Sequence, residues 1–251
     1  MKSIYSVSVT AAALALLTLT TPVHAGKSDN RVESAAEQSY VFKTYLKGDD
    51  IKVKSKEGAV TLSGVVLDES HIALAQETVA GLPGVKSVDN KLKVKPEAST
   101  RTNDTWLTTK VKSTLLFHRS VSGSTEVDTK DSVVTLRGTA DSQAQKDLTS
   151  EHVKDLEGVK GVNNEMTVSS NSPSAAKRVV KKIDDASITA QVKMTLLYHR
   201  STSALHTKIK TEKGVVSLNG KAKDAAERDL ATKFALDVNG VKSVNNRMTI
   251  N

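Results

Sequence analysis

The chain has 251 residues, a formal net charge of +8 and no cysteine, which excludes a disulfide framework and thiol chemistry and leaves an exported form to fold on its apolar core alone. Aromatic residues are only 3%, too few for the stacking platforms of single-strand nucleic-acid binding. The basic excess suits an anionic membrane surface or polymer better.

Residues 1–25 read as a secretory signal peptide: charged Lys2, an apolar run from Ala11 to Leu17, then the small-residue cut site Val23-His24-Ala25. The apolar run is too short to span a bilayer comfortably. The mature chain then begins near Gly26, and a cysteine-free exported protein fits the bacterial periplasm. No later stretch is apolar enough to cross a membrane, so membrane contact would be peripheral.

Beyond the leader, one block recurs. Gly-Val-Lys-x-Val-x-Asn occurs at Gly84–Asn90, Gly158–Asn164 and Gly240–Asn246, and Gly64, Gly138 and Gly220 each close an upstream Thr/Ser-Leu-x-Gly block. The interval between the paired glycines is 20 residues in all three copies, so the chain is a triplicated unit. The units fall at 32–96, 104–169 and 184–251, separated by polar linkers. Each is near the lower size limit for independent folding.

Within a unit the first helix opens on an acidic cap, Asp104 or Asp184-Asp185. Apolar residues then recur every four positions: Leu107, Val111 and Leu115, or Ile188, Val192 and Leu196. Repeat 1 carries Glu37 at the place of Leu107 and Ile188, with a following loop four residues shorter. A hairpin comes next, turning at Lys56-Glu57-Gly58 and Glu212-Lys213-Gly214; Lys130-Asp131-Ser132 lacks glycine, which predicts a different turn. Gly220 is expected to end the second strand of repeat 3, where a side chain would be in the way.

The second helix begins near Asp68, Ser142 and Asp224, with Leu74, Leu148 and Leu230 as core anchors. It ends at Gly84, Gly158 and Gly240, read as left-handed helix caps. A last strand runs over Val88–Val94, Val162–Val168 and Val244–Ile250. The order helix, strand, strand, helix, strand predicts an α+β fold: three look-alike bodies, each a three-stranded sheet covered by two helices. All six recurring glycines are read as backbone devices.

The two glycine blocks, this element order and the leader resemble the BON domain, in three copies covering nearly all of the mature chain. OsmY-like members usually carry two. The resemblance implies a periplasmic protein that associates with phospholipid surfaces and helps cells withstand osmotic or envelope stress.

Catalysis and cofactors find no support: there is no Gly-x-Ser-x-Gly elbow, phosphate loop or cysteine nucleophile. The six histidines are scattered, and His199 and His206 lack an acidic or cysteine partner at ligand spacing. They read as surface or capping residues, not as a metal site. The best site candidate is the run Leu-Leu-aromatic-His-Arg-Ser at Leu115–Ser120 and Leu196–Ser201, absent from repeat 1. In one reading Phe117, Tyr198 and Trp106 sit at lipid headgroup depth while Arg119 and Arg200 meet phosphate. In the other, Leu115, Leu116 and Phe117 are ordinary core, with arginine capping the helix end. The basic cluster Lys177, Arg178, Lys181 and Lys182 is a second candidate. The expected function is non-enzymatic binding to anionic phospholipid or envelope proteins. The alternative is chaperone-like shielding of exported chains through apolar patches or sheet edges.

Overall fold

The computed structural model describes residues 23–95, 103–121, 125–169, 182–202 and 207–250. The expected leader up to residue 22, and Lys177, Arg178 and Lys181, lie outside these. Repeat 1 comprises α1 (Val23–Gln38), α2 (Tyr40–Thr44), β1 (Asp50–Lys56), β2 (Ala59–Val66), α3 (Glu69–Ala80) and β3 (Ser87–Val94). Repeat 2 follows with α4 (Asn103–Phe117), β4 (Glu126–Lys130), β5 (Val133–Arg137), β6 (Thr139–Ala140), α5 (Gln143–Lys154), β7 (Gly161–Asn164) and β8 (Thr167–Val168). Repeat 3 has α6 (Asp185–Tyr198), β9 (Thr207–Glu212), β10 (Val215–Ala222), α7 (Ala225–Asp237), β11 (Ser243–Asn246) and β12 (Thr249–Ile250).

Every repeat is a mixed sheet under helices. The middle strand pairs antiparallel with the first and parallel with the last, and the second helix supplies the crossover that a parallel pair needs. Side-chain alternation assigns the faces: Val53, Val60 and Leu62 turn into the core of repeat 1, while Lys52, Lys54 and Lys56 stay exposed.

Three local devices recur. The hairpin turns all place two consecutive residues at positive φ: Glu57 and Gly58, Asp131 and Ser132, Lys213 and Gly214. That is the type I′ geometry matching strand twist, so repeat 2 keeps the turn of its siblings despite lacking glycine. A carboxylate on the first helix, in its first turn in repeats 2 and 3 and further along in repeat 1, holds each turn by accepting two successive backbone N–H groups. Asp29 binds Glu57 and Gly58, Asp104 binds Asp131 and Ser132, and Asp185 binds Lys213 and Gly214. These aspartates also set the register of the first helix. Three residues on stand Val32, Leu107 and Ile188, all buried. Val32, not Glu37, is therefore the counterpart of Leu107 and Ile188, and the span from the turn-holding aspartate to the hairpin is not shortened.

The last strand is tied down by the asparagine that closes the repeated block. Asn90, Asn164 and Asn246 donate through Nδ2 to the helix carbonyls of Ile72, Lys146 and Arg228, and accept from the N–H of Leu92, Met166 and Met248. The helices end before the glycines expected to cap them. Gly84, Gly158 and Gly240 instead occupy the third place of a turn closed by Val85 N–H to Leu82 O, Val159 N–H to Leu156 O and Val241 N–H to Val238 O, with φ of 91°, 96° and 89°. This is a type II turn, which needs glycine there. Nor does the middle strand end at the first glycine of the pair in repeats 1 and 3: β2 and β10 run on through Gly64 and Gly220, whereas β5 stops at Arg137, just before Gly138. At Gly64, with φ 123°, an added Cβ would lie 1.9 Å from the Asp50 carbonyl. Of the three expected anchors Leu74 is buried but Leu148 is 40% exposed; the next position, Ala75, Thr149 and Ala231, is buried throughout.

The repeats are not separate bodies. Helix α6 is buried nearly all round, the state of a helix at the centre of a larger core. Ile188, Val192 and Leu196 face repeat 3, whereas Ala186, Ala190, Met194 and Tyr198 join one apolar cluster that runs through repeats 1 and 2. Repeat 1 docks on that outer face. Tyr40 N–H donates to Asp184 at 2.8 Å, Val41 N–H to Ser187 Oγ at 3.1 Å, and Lys193 pairs with Glu77 at 2.7 Å.

Ser132 holds a left-handed conformation that repeats 1 and 3 give to glycine. Ser132→Gly is expected to stabilise the protein by about 1 kcal/mol, read as a higher urea midpoint. An unchanged or lower midpoint would show that the turn carries no strain.

Candidate functional site

The two copies of the Leu-Leu-aromatic-His-Arg-Ser run end α4 and α6, and each reaches across to the other repeat's second helix. His118 lies opposite Val238 and His199 opposite Leu156 in two short antiparallel bridges. Arg119 N–H donates to Asp237 O at 3.0 Å and Asn239 N–H to Phe117 O at 2.8 Å; in the mirror arrangement Arg200 N–H donates to Asp155 O and Glu157 N–H to Tyr198 O, both at 2.9 Å. Side chains repeat the exchange. His118 Nδ1 lies 2.9 Å from Asp237 Oδ2, and His199 Nδ1 lies 3.1 Å from Asp155 Oδ2. The hydroxyls of Ser120 and Ser201 donate to the same carboxylates.

The arginines complete this clasp. The Arg119 guanidinium donates to the carbonyls of Leu236 and Val241, and that of Arg200 to those of Lys154, Leu156 and Val159. A cation at the orphan carbonyls of a helix C-terminus is favoured by the helix dipole. Arginine therefore caps a helix, as one reading of the run held, but the helix belongs to the neighbouring repeat.

These positions correct the lipid-contact reading of the run. Phe117 is 1% and Tyr198 7% exposed, so neither ring can enter a headgroup layer from this fold. Phe117 meets Tyr45 edge-on with centroids 5.1 Å apart. Tyr198 and half-buried Trp106 flank Lys110, whose Nζ lies 4.9 and 4.8 Å from their ring centroids and donates to Glu157 O at 2.9 Å. Burial pulls the Lys110 pKa down to about 8. Arg119 and Arg200 spend donors on carbonyls. The run leaves exposed its second leucine, Leu116 or Leu197, and its arginine, Arg119 or Arg200. Of the basic cluster, Lys182 is described and exposed.

A sequence model of the BON domain matches residues 28–96, 103–170 and 184–251, most of the chain. The chain belongs to the BON domain family. It is 36% identical over 143 residues to "Osmotically-inducible protein Y" of Escherichia coli (strain K12), a match spanning 55% of this chain and 71% of that protein. Among solved structures, CdsD, a structural protein of the type III secretion system of Chlamydia trachomatis, aligns over 88% of this chain and 91% of its own at 14% identity and a TM-score of 0.25. The PrgH periplasmic domain aligns over 82% and 97% at 14% identity and a TM-score of 0.20. Scores this low carry no argument.

Between BON repeats 2 and 3 the clasp encloses a third histidine that sequence reasoning passed over. His152, on α5, sits at the position that Phe234 fills in repeat 3 and Thr78 in repeat 1. Its ring lies 4.4 Å from that of His118 and 5.7 Å from that of His199, centroid to centroid. Phe234 stacks on His199 at 4.1 Å. Three of the histidines are thus gathered, not scattered, and each has a carboxylate supplied by the other repeat: Asp237 beside His118 and, at 3.7 Å, His152, and Asp155 beside His199. The signal that could have found them is registration: aligned on the paired glycines, Asp155 and Asp237 coincide, as do His152 and Phe234.

Burial, then the neighbouring imidazoles of His118 and His199, hold the His152 pKa down to about 3 against the pull of Asp237 and Asp155. His199 is lowered as well, by burial first. Burial would raise Asp155 and Asp237, but hydrogen bonds from His199 and Ser201, and from His118 and Ser120, outweigh it and bring both carboxyls below their usual range. The sign follows from linkage. Unfolded His152 takes a proton near pH 6.5, which the folded protein refuses until about pH 3, so stability is complete above pH 6.5 and lost as pH falls through that window. The slope from this residue approaches about 1.4 kcal/mol per pH unit. Urea unfolding in metal-free buffer should give a clearly lower midpoint at pH 5.5 than at pH 7.5, and His152→Phe should flatten the difference. Equal midpoints in the wild type would contradict the burial of a neutral imidazole.

Proposed function

We propose that this BON protein is a non-enzymatic periplasmic protein that lies on anionic phospholipid surfaces during osmotic stress. The signal-peptide pattern at residues 1–25, the name of the Escherichia coli relative and the family support the setting. Among the described residues no helix is long and apolar enough to cross a membrane, in keeping with peripheral attachment.

The observation that carries the reading is the open sheet face of repeat 1. Strand β1 turns Lys52, Lys54 and Lys56 outward, and β3 turns Lys91 and Lys93 to the same side, against two acids, Asp50 and Asp89, on those two strands' open face. Lys91 pairs with Asp89 at 3.0 Å and Lys54 reaches Glu33 at 3.5 Å; both pairs are surface contacts of small worth. The corresponding face of repeat 2 is mixed, with Glu126, Asp128 and Glu165 among Lys130 and Arg137. A basic face near an anionic leaflet gains about 1 kcal/mol per lysine. Lys182 adds to the same charge sign.

A second reading, chaperone-like capture of exported chains, draws on exposed Leu116, Leu197 and Leu236. The edge strand β1 disfavours capture by strand addition, because alternate lysines blunt a sheet edge.

Flotation with phosphatidylglycerol vesicles tests the proposal. The wild type should float at low salt and be released as salt rises. The variant with Lys52, Lys54, Lys91 and Lys93 all changed to Gln should lose up to about three orders of magnitude in affinity, while Arg119→Gln should bind like wild type. Unchanged binding by the lysine variant would remove this face from the site. No binding by the wild type, with suppression of client aggregation in the absence of lipid, would replace the proposal by the second reading.

A further inference from the structure

We propose that His118, His152 and His199 form a binding site for one divalent transition-metal ion, Zn²⁺ by its chemistry, set in the clasp between repeats 2 and 3. The three imidazoles come from α5 and from the residues that follow α4 and α6. They are 2%, 7% and 1% exposed, and one ring nitrogen from each lies within 4.8 Å of the others. Tetrahedral zinc with bonds of about 2.0–2.1 Å sets its nitrogen ligands about 3.4 Å apart. The rings therefore need to close by no more than about 1.4 Å around an ion of this kind.

Unsatisfied atoms identify the vacancy in hydrogen bonding. His118 Nε2, His152 Nδ1 and His199 Nε2 are buried without any hydrogen-bond partner. One orphaned ring nitrogen is an isolated fault in a fold; three on touching rings share a cause. On His118 and His199 the other nitrogen is engaged by Asp237 and Asp155. A carboxylate accepting from Nδ1–H keeps the proton there and leaves the Nε2 lone pair for a ligand, as metal-binding histidines are held by their outer partners. The same two carboxylates balance the charge of a dication. A protein donor set made of imidazoles alone suits Zn²⁺, Cu²⁺ or Ni²⁺ and not Mg²⁺ or Ca²⁺.

The pseudo-twofold relation of the clasp explains the count of three. His118 and His199 are equivalent positions, as are His152 and Phe234; Phe234 fills the fourth corner and stacks on His199. The protein therefore offers three ligands, with a fourth left to water or a small anion. Because the ligands come from both repeats, an ion here fastens one to the other.

The test uses the untagged full chain, stripped with chelator and then titrated with Zn²⁺ and with Co²⁺ as a spectroscopic probe. One ion per chain should bind with micromolar or tighter affinity, raise the unfolding temperature, and give Co²⁺ visible ligand-field bands. X-ray absorption of the wild-type Zn²⁺ complex should show three imidazoles, a readout that needs no variant. His152→Phe places in repeat 2 the residue that repeat 3 carries there, so it keeps the packing while removing a ligand; His152→Gln removes the ligand without adding a ring. Both should weaken Zn²⁺ binding about 100-fold or more, and Asp155→Asn about 10–100-fold through the outer partner. Absence of stoichiometric Zn²⁺ and Co²⁺ binding by the wild type would overturn the proposal. So would wild-type affinity in folded His152→Phe or His152→Gln, or a Zn²⁺ environment without imidazoles.

Discussion

Two carboxylates, Asp155 and Asp237, hold this molecule in its arrangement. Each sits at the end of one repeat's second helix and receives an imidazole and a seryl hydroxyl from the other repeat. Burial disfavours a charged carboxylate, and the donors around it more than offset that penalty. Removing one partner of such a buried set leaves the other desolvated and unpaired, which costs more than the hydrogen bond is worth. Four cross-repeat backbone hydrogen bonds follow the same path. Repeats 2 and 3 thereby become one unit, and the rest of the assembly adapts to it.

The adaptation is visible in α6. Its inner face completes the core of repeat 3, and its outer face, lined by Ala186, Ala190 and Met194, receives repeat 1. Small residues permit the approach: an added Cβ on Gly81 would lie 3.3 Å from Ala186. Repeat 1 has no counterpart of the clasp run and carries Thr78 at the place of His152 and Phe234. Freed from the exchange, it keeps a sheet face dominated by lysine. One fold thus serves two ends, with two copies building a rigid pair and a third presenting charge.

Much of the fold could be read from the chain. The 20-residue glycine interval and the apolar spacing of Leu107, Val111 and Leu115 identify the repeat and its helices, because turn geometry and core burial leave periodic marks. Two errors have physical reasons. Repeat 1 was registered five residues late, through Glu37, because the aligned run is missing there; the true marker is Asp29, whose carboxylate holds the hairpin turn as Asp104 and Asp185 do. Phe117, Tyr198, Arg119 and Arg200 suggested a membrane because aromatic-beside-arginine is the same composition for a lipid interface and for a helix-capping clasp. The difference lies in Asp155 and Asp237, which are remote in sequence from the run they meet and stand out only when repeats 2 and 3 are aligned on their glycines. The role of Asn90, Asn164 and Asn246 was likewise invisible, although the residues themselves recur in plain view.

Native-state hydrogen exchange at four amides tests the central claim most directly. Arg119, Asn239, Glu157 and Arg200 donate the cross-repeat backbone bonds. If the clasp makes repeats 2 and 3 one cooperative unit, these amides exchange only through global unfolding and match the central-strand amides of Val134 and Val216. Fast exchange at all four, with Val134 and Val216 still protected, would mean that the repeats part while each stays folded, and the clasp would not be what holds them.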